Sequence, residues 1–299
     1  MSLRSGYPAG DPRVTARNLV ERARAASDAG LAALFVGDHH AVAGGHYFQN
    51  SPLLGRLLAE WGDAPAGALY LLPLWHPVLV AEQVGTLAAL ARGRFVLQCA
   101  IGGGEEQFDG LGVRLSDRRP RFEAALDMIR RLLSGEEVTA GDPYPVSGAR
   151  IGLVPPEPVE VWVGGHAPAA IDRAARMGDG WLAGPDVTAE RAGDLAARYR
   201  ERCDAHDHTP TVVAIRRDIH VGADAAHAEA VAAPVLARGY RGFDTAACVV
   251  GGPQQVAERF HALGEMGFTD VVIRHLADEQ RDVLASFALL AQVRELLAP

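Results

Sequence analysis

Three times along the chain a helix-forming run ends at glycine and passes within a few residues into an apolar run of strand length. "DPRVTARNLVERARAASDAG" leads into "LAALFVG", "AAIDRAARMGDG" into "WLAG", and "VAERFHALGEMG" into "FTDVVIR". Asp11 is placed to cap the first of these helices, with Pro12 at the first helical position. Short helix-to-strand connections closed by glycine suit parallel βαβ units, in which each helix crosses over between neighbouring strands. The repeats are unevenly spaced, which excludes a solenoid.

Extended along the whole chain, this reading predicts strands at 2–5, 32–36, 67–72, 95–100, 159–163, 180–183, 212–220 and 270–274. Helices are expected near 13–29, 52–60, 77–90, 118–134, 168–177, 188–205, 224–236, 253–266 and 280–297. Phe122, Leu126, Ile129 and Leu133 form an apolar stripe at helical spacing in the fourth of these. Eight strands alternating with helices is the pattern of an α/β protein of the (β/α)8 TIM-barrel type. A doubly wound open sheet also satisfies it, because alternation alone does not show closure. Residues 135–158 are too long and too rich in Pro and Gly for a simple connection, so an insertion with a hairpin is expected after the fourth helix. No linker or composition break divides the chain, so residues 1–299 read as one domain.

Composition removes several functions. The charge is 29 basic against 37 acidic residues, net −8, which argues against a nucleic-acid backbone as partner. Every basic residue is arginine, so no Schiff-base lysine, Walker lysine or carbamylated lysine is available. Cys99, Cys203 and Cys248 are far apart and form no CxxC, which suits a reducing compartment better than a disulfide framework. No stretch approaches the roughly 20 apolar residues of a membrane span, and "MSLRSGYPAGDPR" has no apolar core of a signal peptide. A cytoplasmic protein without a membrane partner is expected.

In a barrel the loops after the strands' C-terminal ends build the active site. "LFVGDHH" places Asp38, His39 and His40 after the second strand, and "AIGGGEEQ" places Gly102, Gly103 and Gly104, followed by Glu105, after the fourth. Glycines there let a backbone approach a ligand closely, although the run does not match GxGxxG and a tight turn also explains it. "VWVGGHAPAA" carries Gly164, Gly165, His166 and Ala167 from the fifth strand into a helix, whose exposed N–H groups and dipole suit a phosphate. The alternatives are structural: Asp38 and a histidine capping a loop, with His40 the more readily structural of the pair. His76, next to Pro77, reads as a loop end, and His220, His261 and His275 read as structural. No HExxH or GxSxG occurs, and no metal site is assigned; a metal-dependent hydrolase using Asp38 and the histidines is kept as a rival.

Taken in order, "GLAALFVGDHH", "LLPLWHPVLVAEQVGTLAALARGRFVLQCAIGGGEEQFDGLGV", "RFEAALDMIRRLLSGE", "VWVGGHAPAAIDRAARMGDGW" and "GGPQQVAERFHALGEMGFTDVVIR" make the chain resemble the bacterial luciferase-like superfamily of flavin-dependent oxidoreductases. The resemblance implies reduced FMN and oxygen as reactants of a monooxygenase, or the deazaflavin coenzyme (F-420) in a hydride-transferring enzyme of the same fold, with the first favoured. It implies His39, paired with Asp38, as acid/base, and Glu105 as a proton donor or acceptor. Ala68 and Leu69 would lie against the flavin through a non-prolyl cis peptide, Gly102 to Gly104 would line it, and Gly164, Gly165, His166 and Ala167 would hold its phosphate. The three loops are expected to share one rim. Trp75 stands where many members have a basic residue before His-Pro. The implied partners are a small organic substrate, a flavin reductase supplying reduced flavin, and a second copy in a homodimer. A flavin-binding barrel without turnover is the non-enzymatic alternative.

Overall fold

Asp11 and Gly30 bound the first helix as the sequence predicts. The Asp11 carboxylate accepts the Arg13 N–H at 2.8 Å, and the chain leaves at Gly30 with φ +68°, where Leu31 N–H returns to Ala26 O at 3.0 Å. Gly267 repeats this ending with φ +96°. Gly178 does not. Its backbone is extended, and a Cβ there would meet Gly180 O at 2.8 Å, so lack of room and not handedness requires the glycine.

These coordinates, from a computed structural model, describe residues 1–299 apart from Ser5, Ala9, Val42 and Pro299. In chain order the first elements are β1 (Ser2–Leu3), β2 (Gly6–Tyr7), α1 (Pro12–Asp28), β3 (Leu34–Val36), β4 (His46–Tyr47) and α2 (Asn50–Leu57). Then come β5 (Ala66–Leu71), α3 (Pro77–Leu90), β6 (Phe95–Ala100), α4 (Glu105–Gly110) and α5 (Arg118–Leu133). The hairpin β7 (Val138–Ala140) and β8 (Val146–Ala149) precedes β9 (Glu160–Gly164), α6 (Pro168–Met177), β10 (Gly180–Ala183) and α7 (Ala189–Ala205). The chain ends with β11 (Val212–Val221), α8 (Ala225–Leu236), β12 (Val249–Gly251), α9 (Pro253–Glu265), β13 (Asp270–His275) and α10 (Gln280–Leu297). All eight predicted strands are present. The first stops at Leu3, and its expected end at Ser5 lies outside the described residues. The paired short strands β2 and β4, β12 and the six-residue α4 were not predicted.

Contacts group the chain into two compact units. One comprises Arg4–Ala16 and Ala33–Trp162; the other Met1–Leu3, Arg17–Ala32 and the chain from Val163 onward. In the first unit β3, β5 and β6 pair in parallel, with Leu34 opposite Ala66 and Ala66 opposite Phe95. All three residues of β3 and most of β5 and β6 are buried, the near-continuous apolar run of strands covered on both faces. Helix α5 buries Phe122, Leu126 and Ile129 as expected, but Leu132 and not Leu133 completes the stripe. The expected insertion is the antiparallel hairpin β7–β8, with Val138 opposite Ala149. Tyr144 at its turn is buried, donates to Leu72 O at 3.3 Å and lies beneath the Arg121 guanidinium, 4.5 Å from the ring centre.

In the second unit the ten-residue β11 is shared. Its first part pairs β10, its middle β13 and its end β12, all in parallel. Trp181 is fully buried between Tyr199, 5.1 Å away, and Phe268, 6.0 Å away. His275 is buried against Phe287, with its Nε2 3.1 Å from Ser286 Oγ. Among the described residues no helix is long and apolar enough to cross a membrane.

Burial, with the nearby Arg22 charge adding to it, pulls the His275 pKa down to about 3 from the ordinary 6.5. Between those values the unfolded chain binds a proton that the folded chain refuses, so stability rises with pH across that window. This one group is expected to contribute a slope of up to ~1.4 kcal/mol per pH unit between about pH 4 and 6. Urea unfolding of wild type and His275→Asn across that range checks it: the variant should lack that part of the slope, and parallel profiles would refute the assignment.

Candidate functional site

The sequence places one acid at the tip of β3, and the structure uses both of its oxygens. Asp38 is buried, and its Oδ2 accepts the Leu71 N–H at 2.8 Å and the Trp75 indole N–H at 2.8 Å. Its Oδ1 lies 3.0 Å from His40 Nε2. That approach has the distance of an ion pair but not the direction of a hydrogen bond, and neither atom has a hydrogen-bond partner. The carboxylate therefore gathers the end of β5, the turn that follows it and its own loop. Trp75 keeps a donor on this carboxylate without adding a charge.

His40 meets Asp38 through its ring. The His40 side chain is 10% exposed and its ring lies edge-on to Trp75, centroids 5.2 Å apart. His39 is half-buried and packs on Tyr47 at 4.5 Å. Below Trp75, Tyr70 is fully buried and bonded to Ser51 Oγ at 2.7 Å, with Gln83 completing the group. Burial pushes the Tyr70 phenol above its ordinary range, so it acts as a neutral hydrogen-bonding post.

The glycine run joins this loop through a residue that sequence reasoning missed. Gln107 Oε1 accepts the His40 N–H at 3.0 Å while its Nε2 donates to Gly103 O at 3.2 Å. Its signal was weak: a buried amide one turn into the unpredicted α4. Gly103 and Gly104 are exposed, nothing lies within 4 Å of the place a Gly103 Cβ would occupy, and Gly104 has φ +86°. A planar ligand could approach the bare backbone there. Glu105 is exposed at the start of α4, and Glu106 Oε1 lies 3.4 Å from the Ala43 N–H.

The structure corrects one expectation. Among the described residues the cis peptide is Asp142–Pro143, so Ala68–Leu69 is trans. The reason is local: β5 stays in register with β6 over all six residues, and the Leu69 carbonyl accepts the Asn50 amide at 2.8 Å. Ala68 is fully buried and Leu69 half-buried.

Gly164, Gly165, His166 and Ala167 belong to the second unit. The Gly165 N–H donates to Leu182 O at 3.1 Å and its carbonyl accepts the Trp181 indole at 2.6 Å. Gly165 has φ +131°, and a Cβ there would come within 2.9 Å of Ala170. Ala167 caps the ten-residue α6, with Pro168 at its first position. His166 lies 3.6 Å from Asp186. A glycine turn locked by an indole and opening onto a helix N-terminus fits a phosphate group without lysine. Among the described residues no three His, Cys, Asp or Glu side chains gather as metal ligands, so the rival hydrolase has no donor set.

The chain belongs to the luciferase-like monooxygenase family, whose model matches residues 2–247. An F420-dependent glucose-6-phosphate dehydrogenase of Beutenbergia cavernae is 35% identical over 190 residues, 60% of this chain and 56% of that protein. The chain thus matches little more than half the length of that curated relative. An F420-dependent secondary alcohol dehydrogenase, solved with an F420–acetone adduct, superposes with TM-score 0.80 at 16% identity, over 100% of this chain and 98% of that one. The oxygenating constituent of 3,6-diketocamphane monooxygenase from the CAM plasmid of Pseudomonas putida, solved with FMN, gives 0.78 at 17% identity over the same shares. These structures share its fold, the luciferase-like (β/α)8 class anticipated from sequence.

Asp38→Ala would leave a buried amide and an indole N–H without an acceptor. A loss of ~2–4 kcal/mol is expected, with Trp75→Phe costing ~1 kcal/mol because one donor leaves with its partner satisfied elsewhere. Urea denaturation measures both, and an Asp38→Ala protein within ~0.5 kcal/mol of wild type would remove the carboxylate from its central role.

Proposed function

We propose that this protein is a deazaflavin-dependent oxidoreductase that moves hydride between that coenzyme and a small organic alcohol or its carbonyl product. The observation that carries the choice of coenzyme is the 35% identity to an F420-dependent dehydrogenase. FMN, the choice favoured from sequence, is named by a structure only 17% identical, a likeness of fold alone.

The deazaflavin supplies a hydride acceptor when bound. The chain's own residues do the rest. Within the first unit the Gly102–Gly104 backbone and Leu69 would take the ring; within the second, the turn at Gly164, Gly165, His166 and Ala167 would suit a phosphate through N–H donors and the α6 dipole. His39 receives the hydroxyl proton as the C–H bond gives up its electron pair, leaving a C=O bond. Glu105, exposed beside the glycines, is the second group able to hold that proton. Asp38 and His40 touch no reacting atom in this scheme; they fix the loop that presents His39.

Titration with the deazaflavin and with FMN, followed by fluorescence, tests the coenzyme. Saturable deazaflavin binding, and bleaching of its visible band by an alcohol, is the expected result. Binding of FMN alone, with oxygen uptake on reduced FMN, would reverse it. His39→Ala should keep coenzyme affinity and lower kcat by ~10²–10⁴; unchanged turnover would take the proton away from His39.

A further inference from the structure

The alternation of β11 sends Arg216 and Asp218 to one face and Arg217 to the other. On the first face charge is satisfied: Asp218, fully buried, accepts from Arg216 at 2.8 and 2.7 Å and from the Tyr240 hydroxyl at 2.7 Å, with Arg241 3.4 Å away. On the second face it is not. Arg217 is 3% exposed, its Nη1 reaches only the Arg216 carbonyl at 3.1 Å, and its Nη2 has no partner.

Arg217 lines a cavity of about 320 Å³ with Cys248, Arg259, Leu263, Met266 and Ala189, the first residue of α7. Burial pulls its guanidinium down to about 10, opposed by the charges of Cys248 and Asp218. Asp218 is already committed to Arg216 and Arg241, and burial pushes the Cys248 thiol up to about 11, which keeps it neutral at ordinary pH. A buried cation without a counter-ion is costly, and one donor of a planar fork remains unused. Arg259 is exposed, bonds the Cys248 carbonyl at 3.3 Å and adds a second positive charge; the start of the seventeen-residue α7 adds its dipole.

We propose that this cavity binds an organic anion, a carboxylate or phosphate head on Arg217 and an apolar body along Leu263 and Met266. It is separate from the residues assigned to coenzyme and substrate, and does not depend on the function proposed above.

Calorimetric titration of the full chain with inorganic phosphate and with hexanoate, at constant ionic strength set by sodium chloride, tests it. Saturable binding of either probe at one site per chain is expected, and the probe that binds identifies the head. Arg217→Met should weaken it at least ~10-fold and Arg259→Gln by ~3-fold. Ala262→Phe, which fills the same cavity from its wall and leaves Arg217 in place, should block it and guards against an Arg217→Met protein that fails to fold. Binding of neither probe, or binding that survives Ala262→Phe, would overturn the proposal.

Discussion

A single buried carboxylate organises the first unit. Asp38 is held at the tip of a strand, where charge is tolerated only if it is surrounded by donors, and the backbone of β5 and the indole of Trp75 supply two. Because Leu71 is the last residue of β5, the bond fixes where that strand ends and the turn carrying Trp75 begins. The same carboxylate draws in His40, and His40 in turn offers its N–H to Gln107, which holds the Gly103 carbonyl. Two loops distant along the chain are thus joined by one chain of contacts, every link polar and nearly every link buried. Such a network is rigid while complete and costly when any member is lost.

Much of this was legible in the residues. The helix–glycine–strand repeat set the order of elements, and the strand-end rule pointed to Asp38 and the glycine run. What escaped depended on three-dimensional neighbours. Gln107 carries no motif, and its role arises only because α4 turns it back between two loops. β12 is three residues of a continuous "CVVGG" stretch, too short for a period to show. The cis peptide expected from resemblance fails against strand register, a pairing property that one chain segment does not encode. Leu132 replaced Leu133 in the α5 stripe because the buried face steps by three and four residues through Phe122, Ala125, Leu126, Ile129 and Leu132.

The absence of lysine shapes both units. Fixed, planar guanidinium groups must serve wherever a positive charge is required, and they cannot be neutralised by deprotonation as a buried amine can. On β11 this yields two solutions one residue apart: Arg216 clamped to Asp218, and Arg217 left with a free donor against a cavity. At Gly164–Ala167 the turn into α6 carries no lysine or arginine, only backbone N–H groups and a helix N-terminus.

The adjacent histidines have different ring neighbours. The His40 ring is enclosed between the Asp38 carboxylate and Trp75. The His39 ring packs on Tyr47, and both histidines are half-buried. A group that must gain and lose a proton needs access to the reacting atom, whereas a group that holds a loop needs to be unable to leave its partner. The position of His40, between Asp38 and Trp75, is of the second kind.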